Sequence, residues 1–384
     1  MRLKIVIYCS DHHLTYNIFT LNRHGVGGGI SARVRMAHAL AARGQDVTLY
    51  INCPSEKTIK GVTYRHWTHF DAPKTDIFIA GTSGGEQDLT SLRGVNLQTK
   101  FNILMIHGTA PPKGLEHLHF DYIYTPSDYV RKIILFEWEM EKNKSFVTHH
   151  GVVEEFFAPY WGRTPRRDPY ALVYASHPSK GLDTAIRILQ LLREKDPRFS
   201  LHVYGGHQLW GEEEKWPGAS KPGLVVHGLV GQRELARRLQ ACGFSLNLQA
   251  RQEPFGMVVT ESMRAGCIVL ASPVGAYPEI IRHGYNGFLI PGDHEEEQTQ
   301  EFAARTILSL TQSPDYLDYI RRNAVVSPLS WDTVAQTWEG HWDWALGDKD
   351  INPIWGTCPE CRGNWLPLAD GLHCTGCGRF SKVA

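Results

Sequence analysis

QEPFGMVVTESMRAGCIVLASPVGAYPE, residues 252–279, sets two carboxylates on either side of a strand-to-helix turn. Pro254, Phe255 and Gly256 stop the preceding apolar run LNLQA, residues 246–250, and a helical pattern opens at Met257. Gly256 is therefore expected at a helix N-terminus. There the unpaired backbone N–H groups and roughly half a positive charge from the helix dipole suit an anionic or hydroxyl-rich ligand. Seven residues separate Glu253 from Glu261, which places Glu261 about one turn into the helix. Its two acceptor oxygens match a vicinal diol such as that of a ribose. The helix should end at Ala265 and Gly266. Residues 267–272, CIVLAS, then read as a buried parallel strand, and 273–276 as a second turn at a strand's carboxyl end, where open α/β sheets bind ligands.

The flanking sequence repeats this alternation. Residues 4–8 form an apolar strand, and 30–43 a helix with Ile30, Val34, Ala37 and Ala41 on one face before Gly44. Between them lies the cluster Gly25-Val26-Gly27-Gly28-Gly29, which fits either a phosphate cradle or a flexible loop. It lacks the G-x-G-x-x-G spacing, and no acidic residue closes the following strand, 47–51. Further strands are expected at 76–81, 102–108 and 122–127, with a helix at 129–142. His107 ends the second of these strands. A second series follows: strands at 171–176, 201–206 and 224–228, helices at 181–195 and 232–242. Lys180 sits where the first of those strands turns into a helix, so it can meet a diphosphate as a point charge beside helix amides. Residues 293–297 read as a solvated acidic stretch, and 301–310 as a helix. In 330–346, Ser330 caps a helix with Val334, Trp338, Trp342 and Leu346 at spacings of four, a packing stripe.

Composition bounds the partners. Forty basic and forty acidic residues cancel, so no overall field favours nucleic acid or an anionic membrane. No run approaches the roughly 18 apolar residues of a membrane span, and residues 1–10 fit a strand better than a signal peptide; a cytoplasmic protein is expected. Cys9, Cys53, Cys242 and Cys267 are scattered singly, as buried reduced thiols are. Cys358, Cys361, Cys374 and Cys377 instead form two C-x2-C turns, the spacing of a four-thiolate zinc site. Two disulfides or a rubredoxin-type iron are the alternatives. With so few apolar residues, the module 350–384 is expected to need its metal to fold, and structural zinc supplies about 10 kcal/mol or more. A full set of thiolates leaves no open position, which marks the site as structural. The module could dock a partner protein, support self-association or hold a substrate.

Glu-x7-Glu around Pro-Phe-Gly, then ESMRAGC, GAYPEII and GYNGFLI, resembles the donor site of retaining GT-B glycosyltransferases, more narrowly glycosyltransferase family 4, the glycosyl transferases group 1. The resemblance implies an α/β fold in which two Rossmann-like, doubly wound domains face a cleft, with the zinc ribbon added. The expected divisions are 1–155 for the acceptor, 156–329 for the donor, 330–347 for a helix crossing back to the first domain, and 350–384 for the ribbon. Residues 147–159, VTHHGVVEEFFAP, resemble the family's linker, and His149 and His150 are given no role beyond shaping it.

By the same resemblance, Glu261 holds the ribose, and Lys180 with the amides near Gly28 and Gly29 holds the diphosphate. Glu253 with the amides of Phe255 and Gly256 holds the sugar hydroxyls, and Met257 and Val258 complete the donor site. His107 matches a histidine that touches the donor sugar, so Glu253, His107 and Lys180 are the catalytic candidates. The family usually carries an Arg a few residues before this Lys-Gly; none stands in 176–180 here. The implied activity is transfer of a hexose-type sugar, with retention, from a UDP- or GDP-sugar to an acceptor hydroxyl. No Asp-x-Asp metal site for the diphosphate is evident, so a metal-independent front-face mechanism is expected. The competing readings are a sugar-nucleotide epimerase or phosphorylase on the same fold, and a non-catalytic glycan- or nucleotide-binding subunit that docks through its ribbon.

Overall fold

The computed structural model describes residues 2–82, 88–141, 144–158, 165–215, 221–347 and 356–382. Along the chain run β1 (Lys4–Tyr8), α1 (Ile18–Arg23), α2 (Gly28–Ala42), β2 (Asp46–Ile51), β3 (Lys57–Ile59), β4 (Val62–His66), β5 (Ile77–Gly81), β6 (Phe101–Met105), β7 (Tyr122–Thr125), α3 (Asp128–Phe136) and β8 (Ser145–Val147). They are followed by β9 (Asp168–Ser176), α4 (Leu182–Lys195), β10 (Ser200–Gly205), β11 (Leu224–Gly228), α5 (Gln232–Ala241), β12 (Cys242–Asn247), α6 (Met257–Arg264), β13 (Ile268–Ala271), α7 (Tyr277–Ile280) and β14 (Phe288–Leu289). The chain closes with α8 (Glu297–Thr311), α9 (Pro314–Val326), α10 (Trp331–Leu346), β15 (Trp365–Leu368), β16 (Gly371–Cys374) and β17 (Phe380–Ser381). Contacts divide it into two compact units: Met1–Phe19 with Gly27–Gly151 and Leu329–Ala384, and Thr20–Val26 with Val152–Pro328.

The first unit holds an eight-stranded sheet in the order β3-β4-β2-β1-β5-β6-β7-β8, parallel except for the β3–β4 hairpin. Its central strands are apolar on both faces, as parallel strands under helices must be. Val6, Phe78, Leu104 and Ile123 pack against Val130 and Ile134 of α3. The second unit holds a six-stranded parallel sheet, β11-β10-β9-β12-β13-β14, the doubly wound order. Leu172, Leu201, Phe244 and Leu246 of that sheet meet Ile188 of α4 and Ile307 of α8.

Several elements differ from the sequence expectations. β12 begins at Cys242, so the run at 246–250 leaves the sheet after Asn247; Cys242 and Phe244 register with Asp168 and Leu172 of β9, which draws the chain into the sheet early. α3 stops at Phe136 instead of 142, where the amides of Trp138 and Met140 fold back onto the carbonyls of Ile133 and Ile134. α8 starts at Glu297, ahead of the expected 301, and α2 at Gly28, ahead of 30. The β3–β4 hairpin, β8 and α9 carried no expectation.

The C-terminal module is a three-stranded antiparallel sheet, β15-β16-β17, seated in the first unit on the edge strand β8 and on α10. Val147 N donates to Gly378 O at 3.4 Å, and Ser145 Oγ to Cys377 O at 3.0 Å. The Phe146 ring is stacked by His341 of α10 on centroids 4.0 Å apart and by His373 of β16 at 4.5 Å. Arg131 of α3 is fully buried there: Nε donates to Asp128 at 2.6 Å, Nη2 to Glu360 at 2.9 Å and Nη1 to the Cys377 carbonyl at 2.8 Å. A short, charged and covered edge is how sheets avoid pairing with other chains. Removing one partner from a buried ion pair strands the others. Arg131→Ala should therefore destabilise the first unit by about 3 kcal/mol, read as a lower urea midpoint at unchanged slope.

Candidate functional site

In the second unit β9 and β12 are neighbours although two strands, β10 and β11, separate them in the chain, so the order reverses between them. A crevice opens at the carboxyl ends of such a pair. The loop after β9 carries Lys180. It is fixed at both ends: Lys180 N donates to His177 O at 2.9 Å, Tyr174 Oη to the same carbonyl at 2.6 Å. Gly181, at φ 89°, starts α4 so close to the Leu248 carbonyl that a Cβ would collide with it.

The loop after β12 carries Glu253. Lys180 Nζ lies 2.7 Å from Glu253 Oε2, an ion pair with side chains only 20% and 15% exposed. The Glu253 carbonyl accepts from Ala276 N at 2.9 Å, which ties this loop to the turn after β13. Gln249 Nε2 donates to Tyr277 Oη at 2.8 Å and lies 3.4 Å from Glu253 Oε2. Its Oε1 is enclosed and accepts no hydrogen bond among the described residues. Burial, and then the Glu253 carboxylate, push the Tyr277 phenol well above its ordinary pKa, so it stays protonated.

Gly256 adopts φ 100°, ψ 59° and caps α6, as its place in the sequence implied. The Tyr277 ring fills the space where its Cβ would stand. Phe255 is buried beneath, Met257 and Val258 open the helix, and Glu261 lies half-buried on α6. The first amides of α6 have no acceptor within the helix. Lys180, Glu253, Gly256 and the α6 N-terminus thus converge on one crevice, with a cation, a carboxylate and the positive end of a helix set for phosphate and hydroxyl groups.

Gly28, Gly29 and His107 lie in the first unit. Gly28 and Gly29 form the first turn of α2, which α1 separates from β1. His107 comes two residues after β6, its Nδ1 enclosed without a hydrogen-bond partner among the described residues and its ring 5.4 Å from that of His150. Burial, then His150, hold its pKa well below the ordinary histidine value, so the ring is neutral at physiological pH. Next to it Arg33 is buried, its Nη1 donating to Tyr16 Oη at 2.7 Å. Gln249 and Tyr277 beside Glu253, and Trp210, stacked on His177 and met by Arg251, escaped the sequence reading; the one signal was a glutamine inside the apolar run 246–250.

The sulfurs of Cys358, Cys361, Cys374 and Cys377 all lie within 4.8 Å of one another. Cys358 and Cys377 are 3.7 Å apart, Cys361 and Cys374 3.4 Å. Tetrahedral thiolates at the zinc–sulfur bond length stand about 3.8 Å apart. The donor set fits a metal ion. Among the described residues, no helix is long and apolar enough to cross a membrane.

Residues 163–325 match the family model described as glycosyl transferases group 1. A glycosyltransferase involved in avilamycin A biosynthesis, AviGT4, superposes with a TM-score of 0.62 at 17% identity, over 89% of this chain and 98% of that one. The chain has the GT-B fold. Anabaena HepE, solved with UDP-glucose, superposes with a TM-score of 0.59 at 15% identity, over 87% of this chain and 98% of HepE. In sequence, the D-inositol 3-phosphate glycosyltransferase of Streptomyces griseus is 30% identical over 184 residues, 44% of this chain and 38% of the relative. The chain therefore spans under half the length of that relative. These names support the expectation of a transferase.

A side chain at Gly256 must both adopt a left-handed backbone and displace a buried ring. Gly256→Ala should lower the stability of the second unit by about 2 kcal/mol or more, measured by thermal unfolding.

Proposed function

We propose that the chain is a retaining glycosyltransferase that moves a hexose from a UDP- or GDP-sugar to an acceptor hydroxyl. The Lys180–Glu253 pair at the N-terminus of α6, in the crevice of the second sheet, carries this reading. Lys180 and the helix amides receive the diphosphate, and Glu261 the ribose diol. Glu253 with the amides of Phe255 and Gly256 holds the sugar hydroxyls. Charge builds on the leaving diphosphate as the glycosidic bond breaks, and preorganised cations and amides stabilise it in place of water. The acceptor attacks from the face the diphosphate leaves, and a leaving phosphate oxygen takes the acceptor proton, so neither a base nor a divalent ion is required. For Gly28, Gly29 and His107, the roles remain those the resemblance implies.

The Glu253 carboxylate beside the lysine fits this scheme. Glu253 keeps Lys180 folded into the crevice, and sugar hydroxyls then share the carboxylate once phosphate has engaged the ammonium. We further propose zinc in the four-thiolate site, as a structural ion that fixes the seat on β8.

Thermal unfolding against UDP-, GDP- and ADP-sugars tests the donor. At a hundredfold excess over Kd, the true donor should stabilise the protein by about 2.7 kcal/mol, and Glu261→Ala should abolish the shift. Glu253→Gln should lower kcat by about 100- to 1,000-fold, with the anomeric configuration of the product read by NMR. No shift with any nucleotide sugar would favour a binding subunit instead. Stripping the metal with a chelator should lower the unfolding midpoint of the first unit and leave that of the second in place.

A further inference from the structure

We propose that Arg251, braced on Trp210, is the second cation of the diphosphate site beside Lys180; this rests on the nucleotide-sugar reading above. A diphosphate joined to a nucleoside and a sugar carries two negative charges. The Lys180 ammonium is already matched by Glu253 at 2.7 Å, so that pair offers little net positive potential. A second positive group is needed. His177, on the same loop, does not supply it: burial is the main influence lowering its pKa, so the ring is neutral at physiological pH, and its Nε2 faces Glu212 at 3.5 Å.

Arg251 lies two residues before Glu253 and is exposed. It makes no hydrogen bond or ion pair among the described residues. Its guanidinium rests 4.5 Å from the centre of the Trp210 ring. Trp210 in turn stacks on His177, centroids 3.6 Å apart and planes within 9°. Because Lys180 N is bonded to His177 O, this layered stack fixes the guanidinium relative to the lysine loop. Stacking on an aromatic face leaves the coplanar N–H groups of arginine directed outward, in the fork that meets phosphate oxygens two at a time. The arrangement also accounts for the lysine loop having no arginine of its own: the neighbouring loop provides one.

The test is calorimetric titration of the full chain with UDP and with GDP, at low and high potassium chloride. Arg251→Gln should weaken the nucleotide that the wild type binds by about ten- to a hundredfold, the effect of losing charged hydrogen bonds. Its affinity should also fall less steeply with salt than that of the wild type, since one screened attraction is gone. Arg251 is exposed, so a melting temperature equal to the wild type's is expected. Wild-type affinity in the Gln variant, or a loss with unaltered salt dependence, would overturn the assignment while leaving the nucleotide-sugar reading intact. Failure of the wild type to bind either nucleotide overturns both.

Discussion

Parallel pairing is the constraint from which the rest follows. Every contact in the six-stranded sheet, and all but the β3–β4 hairpin in the eight-stranded one, joins strands that run the same way. Each strand must then return through a crossover, usually helical, and all the loops that leave strand carboxyl ends gather along one edge. Where the order reverses, between β9 and β12, two such loops diverge and leave room for a ligand. The polar residues of the crevice are held there by apolar strands that contribute nothing chemical themselves. An ion pair as enclosed as Lys180–Glu253 adds little to stability once desolvation is counted. Its effect is positional, and the tight turns at Gly181 and Gly256 serve the same end.

The strands and their carboxyl ends were legible because apolar runs and Pro or Gly breakers are local signals. The strand-to-helix turns that carry Lys180, Glu253 and Gly256, and the helix that carries Glu261, were legible for that reason. The supports of the site were not legible. Gln249 meets Tyr277 across 28 positions. Trp210 belongs to a loop without periodicity, and only the folded chain sets it between His177 and Arg251. Short, half-polar strands were equally hidden: Lys57–Ile59 and Val62–His66 gain their strand character from pairing with each other and with β2.

The ribbon shows the same limit at greater range. Its four cysteines announced a metal site, yet nothing local announced its seat, since Arg131 reaches the Cys377 carbonyl across 246 positions. The small module has a core of little more than three cysteines and Trp365. Such a core is too small to hold a fold by burial alone. Metal binding and docking on β8 are complementary sources of order, and the buried Asp370–His373 contact at 2.7 Å, next to Phe146, links the two.

The segmentation of the first unit imposes a timetable on synthesis. Its sheet is complete once Val147 has been made, but the residues that cover β8 and close over α2 come only after Leu329. At about 5–20 residues per second, the ribosome needs on the order of ten seconds or more to deliver them. Throughout that interval the nascent chain carries an open strand edge and a buried-to-be arginine exposed to water. Meanwhile Val152–Pro328, nearly the whole second unit, emerges as one stretch and can fold first. Here the amino-terminal unit is the last to be finished, the reverse of the usual order for chains built of consecutive domains.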